Sequence, residues 1–527
     1  MFNTGQYLPK SAPVHVWVAA KLSGEHYRSL TMTLKQKTFS AVRWNTIAAV
    51  VKTLLQLAQT AILARLLVPA DYGLMAMAGV VSGFALIFSD LGLNAAYLQK
   101  RNVTREERSS LFWMNLGVST FLAVLMVILS PLLAQVFGDK QLVPILILSS
   151  TVFVFSSLGQ QIKITAEKAL DFRPVAILDV SSVVAGFVVA AIAALNGCGV
   201  YSLVYGNITA SITESLFAWL FLSNDWRPQL RFTLEDIRPY MAFGGAAVGN
   251  SMVGYLNMSF DLLLGGRLLG AESLGLFSVP RNLILRVQML VNPIVTRVGI
   301  PLVVHIQDDI PRVRAVYSKA INMISSCSSP IYIGLAFFAP DVIRVLLGRN
   351  WGGSVELLRI LAAWGLIRSM GNPVGILLYG MGHAALSLKW NLMVMLISPF
   401  VLWFGSLYGA KGVSIAMLSF MVLLFIPGWA ILIRPLCGLK FLDYVADVFK
   451  PMGIALIAII PAFLVASSFQ SVVLRLLIGG FISVPLYLFL GYKFNKDWFN
   501  SVTELISGGI VERLWRGRNS SAVICSD

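Results

Sequence analysis

Four cations, Lys52, Arg281, Arg286 and Arg368, stand inside stretches that are otherwise apolar enough to lie in hydrocarbon. A charge at the bilayer centre costs at least roughly 2.5 to 3.5 kcal/mol, so each needs compensation from a partner, water or a ligand. Arginine presents a planar fork of donors that suits phosphate and carboxylate, and this set of cations points to an anionic ligand. Two other arrangements use the same residues: Arg281 and Arg286 snorkelling at a membrane rim, or pairing with Asp261. The uncharged residues Gln56, Gln59, Asn250, Asn257, Gln288 and Asn292 bring donors and acceptors suited to hydroxyl groups. Asp90, Asp179, Glu214 and Asp261 also fall within apolar stretches. A buried carboxylate takes up a proton or, with neighbours, holds sodium, which makes Asp261, and after it Asp90, the candidate for coupling to a proton or sodium gradient. No other cofactor is implied. The histidines are isolated, and Cys198, Cys327, Cys437 and Cys525 are dispersed, which reads as reduced structural thiols rather than a metal site.

Helical spacing decides which of these residues share a face. Asn45, Lys52, Gln56 and Gln59 follow one another at intervals of seven, four and three, which aligns them on one side of a helix. Asn250, Asn257 and Asp261 form a second such stripe, and Arg281, Gln288 and Asn292 a third, with Arg286 on the face next to it. Arg359 and Arg368 are nine residues apart and project to opposite sides of their helix, and Arg368 is the one expected to point inward. The stripes are expected to face one another across a water-filled cleft. The alternative is hydrogen bonding between helices within each half.

A repeated phrase sets the register of the halves. Arg65-Leu66-Leu67-Val68-Pro69-Ala70-Asp71-Tyr72-Gly73-Leu74 returns as Arg267-Leu268-Leu269-Gly270-Ala271-Glu272-Ser273-Leu274-Gly275-Leu276, each copy closing one apolar segment and opening the next. The interval between the copies places Gln59 on Asp261 and Asp90 on Asn292, while Lys52 falls on Gly254 and Arg281 on Gly79. Six apolar segments separate the copies, an even number, so the halves are parallel repeats about an axis along the membrane normal, a transporter geometry.

The composition is that of an integral membrane protein, with 57% hydrophobic and only 13% charged residues and a positive mean hydropathy. A spanning helix needs about 20 apolar residues, and about fourteen such stretches run from Ala41 to Tyr492. The expected fold is all-α: two pseudo-symmetric six-helix lobes plus two C-terminal helices. The expected divisions are a cytoplasmic segment over 1–40, a first lobe over 41–223, a linker over 224–238, a second lobe over 239–437, two further spans over 438–492 and a cytoplasmic tail over 493–527. Within the first segment 1–31 lies upstream of Met32, which reads as the natural initiator. The net charge of +16 is scattered among loops rather than gathered into a nucleic-acid-binding stripe. It concentrates in alternate breaks, at Lys100, Arg101, Arg105 and Arg108, then Lys163, Lys168 and Arg173, which by the positive-inside rule sets both termini in the cytoplasm.

Three stretches carry a family resemblance: Thr33-Leu34-Lys35-Gln36-Lys37-Thr38-Phe39-Ser40-Ala41-Val42-Arg43-Trp44, the phrase from Leu63 to Leu74, and Phe88-Ser89-Asp90-Leu91-Gly92-Leu93. Together with Leu170-Asp171-Phe172-Arg173-Pro174 and Gly197-Cys198-Gly199-Val200-Tyr201-Ser202-Leu203-Val204 they resemble the polysaccharide transporter family. That family contains Wzx-type flippases and exporters of the colanic acid and succinoglycan kind, within the multidrug/oligosaccharidyl-lipid/polysaccharide superfamily. The resemblance runs from about Thr33 to Tyr492 and does not identify the sugar. It implies alternating access that carries an undecaprenyl-diphosphate-linked oligosaccharide across the bacterial inner membrane, in contact with membrane lipids and with polysaccharide polymerase and co-polymerase proteins. Lys52, Arg281, Arg286 and Arg368 would then hold the pyrophosphate or an acidic sugar, and Gln56, Gln59, Asn250, Asn257, Gln288 and Asn292 the sugar hydroxyls. These roles rest on helical phase, not on a family motif.

Competing classes leave different marks. A drug exporter of the same fold favours acidic and aromatic cavity residues over arginine. A major-facilitator transporter carries Gly-x-x-x-Asp-Arg after its second span, where this chain has Gln99-Lys100-Arg101-Asn102-Val103-Thr104. A membrane glycosyltransferase or polymerase needs acid, base or metal groups on a large outer loop. Every outer loop here is short and no phosphate-binding Gly-rich loop is present, so the chain does not read as an enzyme.

Overall fold

The computed structural model describes residues 34–506 except Asp90, Arg101, Asn224 and Asp225. The segment upstream of Met32, most of the tail and the side chain of Asp90 therefore lie outside the described residues, and of Asn250 only the backbone is described.

Every regular element among the described residues is helical. The first half holds α1 (Leu34–Leu66), α2 (Pro69–Ser89), the short α3 (Leu93–Gln99), α4 (Arg105–Phe137), α5 (Leu142–Lys168), α6 (Phe172–Leu195) and α7 (Tyr201–Phe217), which runs on through a π-helical turn over Ala218–Leu222. The second holds α8 (Leu234–Ile306), α9 (Ile310–Phe337), α10 (Ala339–Leu346), α11 (Ser354–Gly371), α12 (Val374–Gly380), α13 (Ala384–Ser406) and α14 (Gly409–Gly428). Two more long helices, α15 (Phe441–Ser467) and α16 (Val472–Phe494), pack on α9 and α10, and α17 (Lys496–Ile506) follows. Among the described residues, twelve helices are long and apolar enough to cross a membrane. The count differs from about fourteen for two physical reasons. The α part of α7 is only 17 residues long, and one candidate, Ser251–Asn292, covers parts of two legs of α8.

Those legs join at Gly270, whose φ of 76° and ψ of 168° interrupt an otherwise continuous helix. Only glycine takes that conformation without strain, so the second copy of the repeated phrase turns the chain at this point. Pro373 makes the other consequential break. Lacking an amide hydrogen, it separates α11 from α12 and leaves Gly371 and Asn372 facing a cavity.

The two copies of the phrase pack on each other across the lobes. A Cβ placed on Gly73 would stand 1.7 Å from the Ala271 carbonyl oxygen, and one placed on Gly275 would stand 1.8 Å from that of Pro69. The contacts are reciprocal in the repeat's register. The arginines follow the same symmetry: Arg65 donates to the Val345 carbonyl in the second lobe, while the Arg267 guanidinium lies over Gly138 in the first. Fully buried Trp351 adds an indole N–H to the Ala64 carbonyl at 2.8 Å, and its ring meets Tyr72 edge-on at 5.3 Å. The lobes are thus clamped at the end of the bundle that carries the repeat.

At the opposite end, a segment without regular structure over 226–233 leads into α8 and docks on the first lobe. Ser110 and Thr233 donate to Asp236, and the Tyr240 hydroxyl donates to Glu107 at 2.8 Å. The Thr233 and Ser110 hydroxyls hold the Asp236 carboxyl below the usual carboxylate range.

Candidate functional site

A cavity of about 480 Å³ with polar and apolar walls lies within the second lobe between α8, α11, α12, α13 and α14. Asn257, Asp261, Arg281 and Arg368 all line it, brought together from three of the stretches singled out in the sequence. Asp261 and Arg281 form a buried ion pair: both Nε and Nη2 of Arg281 donate to the carboxylate, the Nη2 contact at 2.9 Å, and Nη2 also donates to the Met258 carbonyl. Of the alternatives left open by the spacing, Arg281 has taken the pairing with Asp261, which neutralises both charges within the wall.

Arg368 forms no ion pair among the described residues. Its Nε donates to Gln288 at 3.3 Å and its guanidinium lies 5.1 Å from the Trp364 ring centre. Arg359, on the same helix, is exposed. Asn257 donates to the Asn391 carbonyl at 3.0 Å, and its own carbonyl oxygen is buried without a partner among the described residues. The Asn292 side-chain oxygen is also buried without a partner.

Arg286 does not join this group. It lies two residues from Gln288, hence about 200° around the helix, and faces the first lobe. There it donates to the Thr60 hydroxyl at 3.3 Å in a small cavity of about 100 Å³ shared by α1, Tyr72 and the second leg of α8. Contacts between α1 and α8 are sparse, because α1 packs mainly on α6. Lys52, Gln56 and Gln59 are half-buried on α1, and no ion pair is formed by Lys52 among the described residues. The structure therefore divides the expected cationic cluster: Arg281 and Arg368 in one chamber, Arg286 at the seam between the lobes, and Lys52 on α1. Asn257 and Asp261 line the chamber within their own lobe rather than meeting the α1 stripe.

One polar cluster was not assembled from sequence. Lys163 on α5 bridges Asp179 on α6 and Glu214 on α7, at 2.7 Å to each. Glu167 follows one turn along α5, and a cavity of about 370 Å³ opens beside Lys163, Glu167 and Glu214. Lys163 reads as a loop cation because it sits near the end of its apolar stretch. The available signal was the opposite sign of charges on three consecutive spans.

This two-lobed bundle is a known membrane-protein fold. The solved structure described as lipid II flippase MurJ, inward closed conformation, superposes with a TM-score of 0.68 at 13% identity, covering 86% of this chain and 99% of that one. An inward-facing multidrug resistance MATE family transporter of the MOP superfamily gives 0.57 at 17% identity, over 72% of this chain and 94% of its own. Within that fold, the chain belongs to the family described as polysaccharide biosynthesis protein, which it matches over residues 62–356. It is 29% identical to the lipopolysaccharide biosynthesis protein WzxC of Escherichia coli over 81% of this chain and 87% of that protein. It is 27% identical to the teichuronic acid biosynthesis protein TuaB of Bacillus subtilis, over 69% and 76%. The succinoglycan biosynthesis transport protein ExoT of Rhizobium meliloti is 22% identical over 88% and 94%.

Proposed function

We propose that this protein flips a lipid-linked oligosaccharide from the cytoplasmic to the periplasmic leaflet of the bacterial inner membrane by alternating access. The observation that carries this reading is the seam between α1 and the second leg of α8. Its contacts are sparse, and it holds Arg286 within reach of both lobes. An oligosaccharide headgroup carries many hydroxyls, each costing roughly 2 to 7 kcal/mol to bury without a partner, so it crosses through a polar interior. The isoprenoid tail stays in lipid, and a loosely packed seam lets the two remain connected. Arg286 stands where the diphosphate of such a lipid passes, with undecaprenyl diphosphate as the proposed carrier. The relatives named for lipopolysaccharide, teichuronic acid and succinoglycan favour this cargo over a drug.

Further parts of the reading follow from it. Both termini lie in the cytoplasm, the clamped end bearing the repeated phrase is periplasmic, and polymerase and co-polymerase proteins receive the product. Coupling to a proton or sodium gradient would draw on intramembrane carboxylates. Asp261 already has Arg281 as its counter-ion, which leaves the cluster around Lys163, with more carboxylates than cations, as the better-placed one.

The test is flipping of a fluorescent undecaprenyl-diphosphate oligosaccharide in proteoliposomes. Arg286→Ala is expected to lose most of the activity while keeping the thermal stability of the parent, since Arg286 forms no ion pair among the described residues. Unimpaired flipping by that variant would sink the assignment of Arg286.

A further inference from the structure

We propose that the chamber within the second lobe is a receptor for a sugar residue bearing a carboxylate, and that Arg368 is its anion-binding group. This rests on the saccharide-lipid reading above and adds to it a separate compartment and a charge requirement.

The argument begins with the charges in the wall. The chamber's charged lining residues are Asp261, Arg281 and Arg368. The first two neutralise each other through a two-pronged contact, so the chamber retains one positive charge. Arg368 forms no ion pair among the described residues, and only its Nε has a hydrogen-bond acceptor there. A half-buried guanidinium with free terminal nitrogens is a fork for one carboxylate. Leaving such a charge uncompensated within a membrane protein is costly, and an anionic ligand removes that cost.

The rest of the wall selects the body that carries the anion. Half-buried Trp390 supplies a flat apolar face of the kind a pyranose ring stacks on, while buried Trp364 backs the Arg368 guanidinium. Asn257 and Ser398 contribute buried polar atoms without a hydrogen-bond partner among the described residues, the side-chain carbonyl oxygen and the hydroxyl respectively. An aromatic face, hydrogen-bonding groups without a partner and one guanidinium in about 480 Å³ suit a charged monosaccharide unit better than a purely apolar ligand.

Position separates this anion site from the lipid's own phosphates. Gln288, which orients Arg368, and Arg286, which faces α1, lie on opposite sides of one helix. A headgroup tethered to its tail at the seam meets Arg286, and a sugar beyond it reaches the chamber.

The experiment is saturation-transfer NMR on the full chain in lipid nanodiscs, with sodium glucuronate, glucose and inorganic pyrophosphate as separate probes. Glucuronate is expected to bind saturably, about tenfold or more tightly than glucose, and R368Q to abolish that difference. R368K, which keeps the charge on a smaller donor set, is expected to retain part of it. Asn257→Asp, which neutralises the chamber while leaving Arg368 in place, is expected to lose it. Equal binding of glucose and glucuronate would overturn the proposal, as would a preference that survives both R368Q and Asn257→Asp. Competition by pyrophosphate at the same site would also overturn it, by assigning Arg368 to the lipid phosphates. If glucuronate binds as expected but no lipid-linked saccharide is flipped, the chamber assignment stands and the flippase reading falls.

Discussion

Adding a single methyl group at Gly73 tests whether the contact between the repeated phrases is a closure that alternates. A Cβ at this position starts 1.7 Å from the Ala271 carbonyl oxygen, and an ordinary carbon–oxygen contact is about 3.3 Å, so the lobes must part locally by roughly 1.6 Å. The same displacement carries the Trp351 indole, 2.8 Å from the Ala64 carbonyl, beyond hydrogen-bonding distance. Overpacking of this kind costs about 1 to 3 kcal/mol and the lost hydrogen bond about 1 more. Because a conformation opened at this end is relieved of both, Gly73→Ala should shift the ratio of closed to open molecules by roughly 30-fold to several hundredfold. Spin labels at exposed Lys140 and Asn350, in a background without native cysteines, report the separation by pulsed electron resonance. The expected result is a new population at longer distance in Gly73→Ala. Gly275→Ala should reproduce it, and the double variant should add little, because the two positions share one interface. An unchanged distance distribution together with normal flipping would show that this contact is a fixed pivot and refute the reasoning.

Three further outcomes are expected. Arg281→Met leaves Asp261 buried and alone and should destabilise the protein by about 3 to 5 kcal/mol, while Arg281→Met with Asp261→Leu should recover most of the loss. Thermal unfolding in detergent compares them, and a single variant as stable as the double would contradict the buried pair. Trp351→Phe keeps the ring against Tyr72 but removes the hydrogen bond to Ala64, for a cost of about 1 kcal/mol in the same assay. The third concerns Asp236, whose depressed carboxyl contributes stability that is present above its ordinary value of 3.8 and is lost as pH falls through the lower value it has in the fold. Hydrogen exchange in the segment preceding α8 should therefore rise only below that range, and loosening at pH 5 to 6 would point to another group.

Periodicity made the architecture legible. The long apolar stretches are one-dimensional records of membrane thickness and the repeat interval one of the two halves, and the helices follow both. The spacing of seven residues puts Arg281 and Gln288 on one face of α8, where Arg281 lines the chamber and Gln288 accepts from the chamber's Arg368. Spacing could not say that Arg281 would be consumed by Asp261, because that depends on how the legs fold back at Gly270. Nor could it set Arg286 apart from Arg368, since the relevant partner of each lies on another helix, Thr60 in one case and Trp364 with Gln288 in the other. Trp390, Asn391 and Ser398 gave no signal at all. An aromatic, an amide and a hydroxyl are ordinary in a membrane helix, and only the packing of α13 against α8 and α14 makes them a wall.

The reciprocal contact of position 73 with 271 and of 275 with 69 is the pattern of an isologous homodimer, here held within one polypeptide. In such an interface each substitution acts twice when the halves are identical and once when they are not. Joining the halves releases every position except those on the axis from having to serve both sides. The axis kept its glycines and arginines, while away from it Arg281 came to oppose a glycine at 79 and Lys52 a glycine at 254. Within one chain the second half thus holds the chamber and the first half the Lys163 cluster, with the two copies of the phrase packed between them.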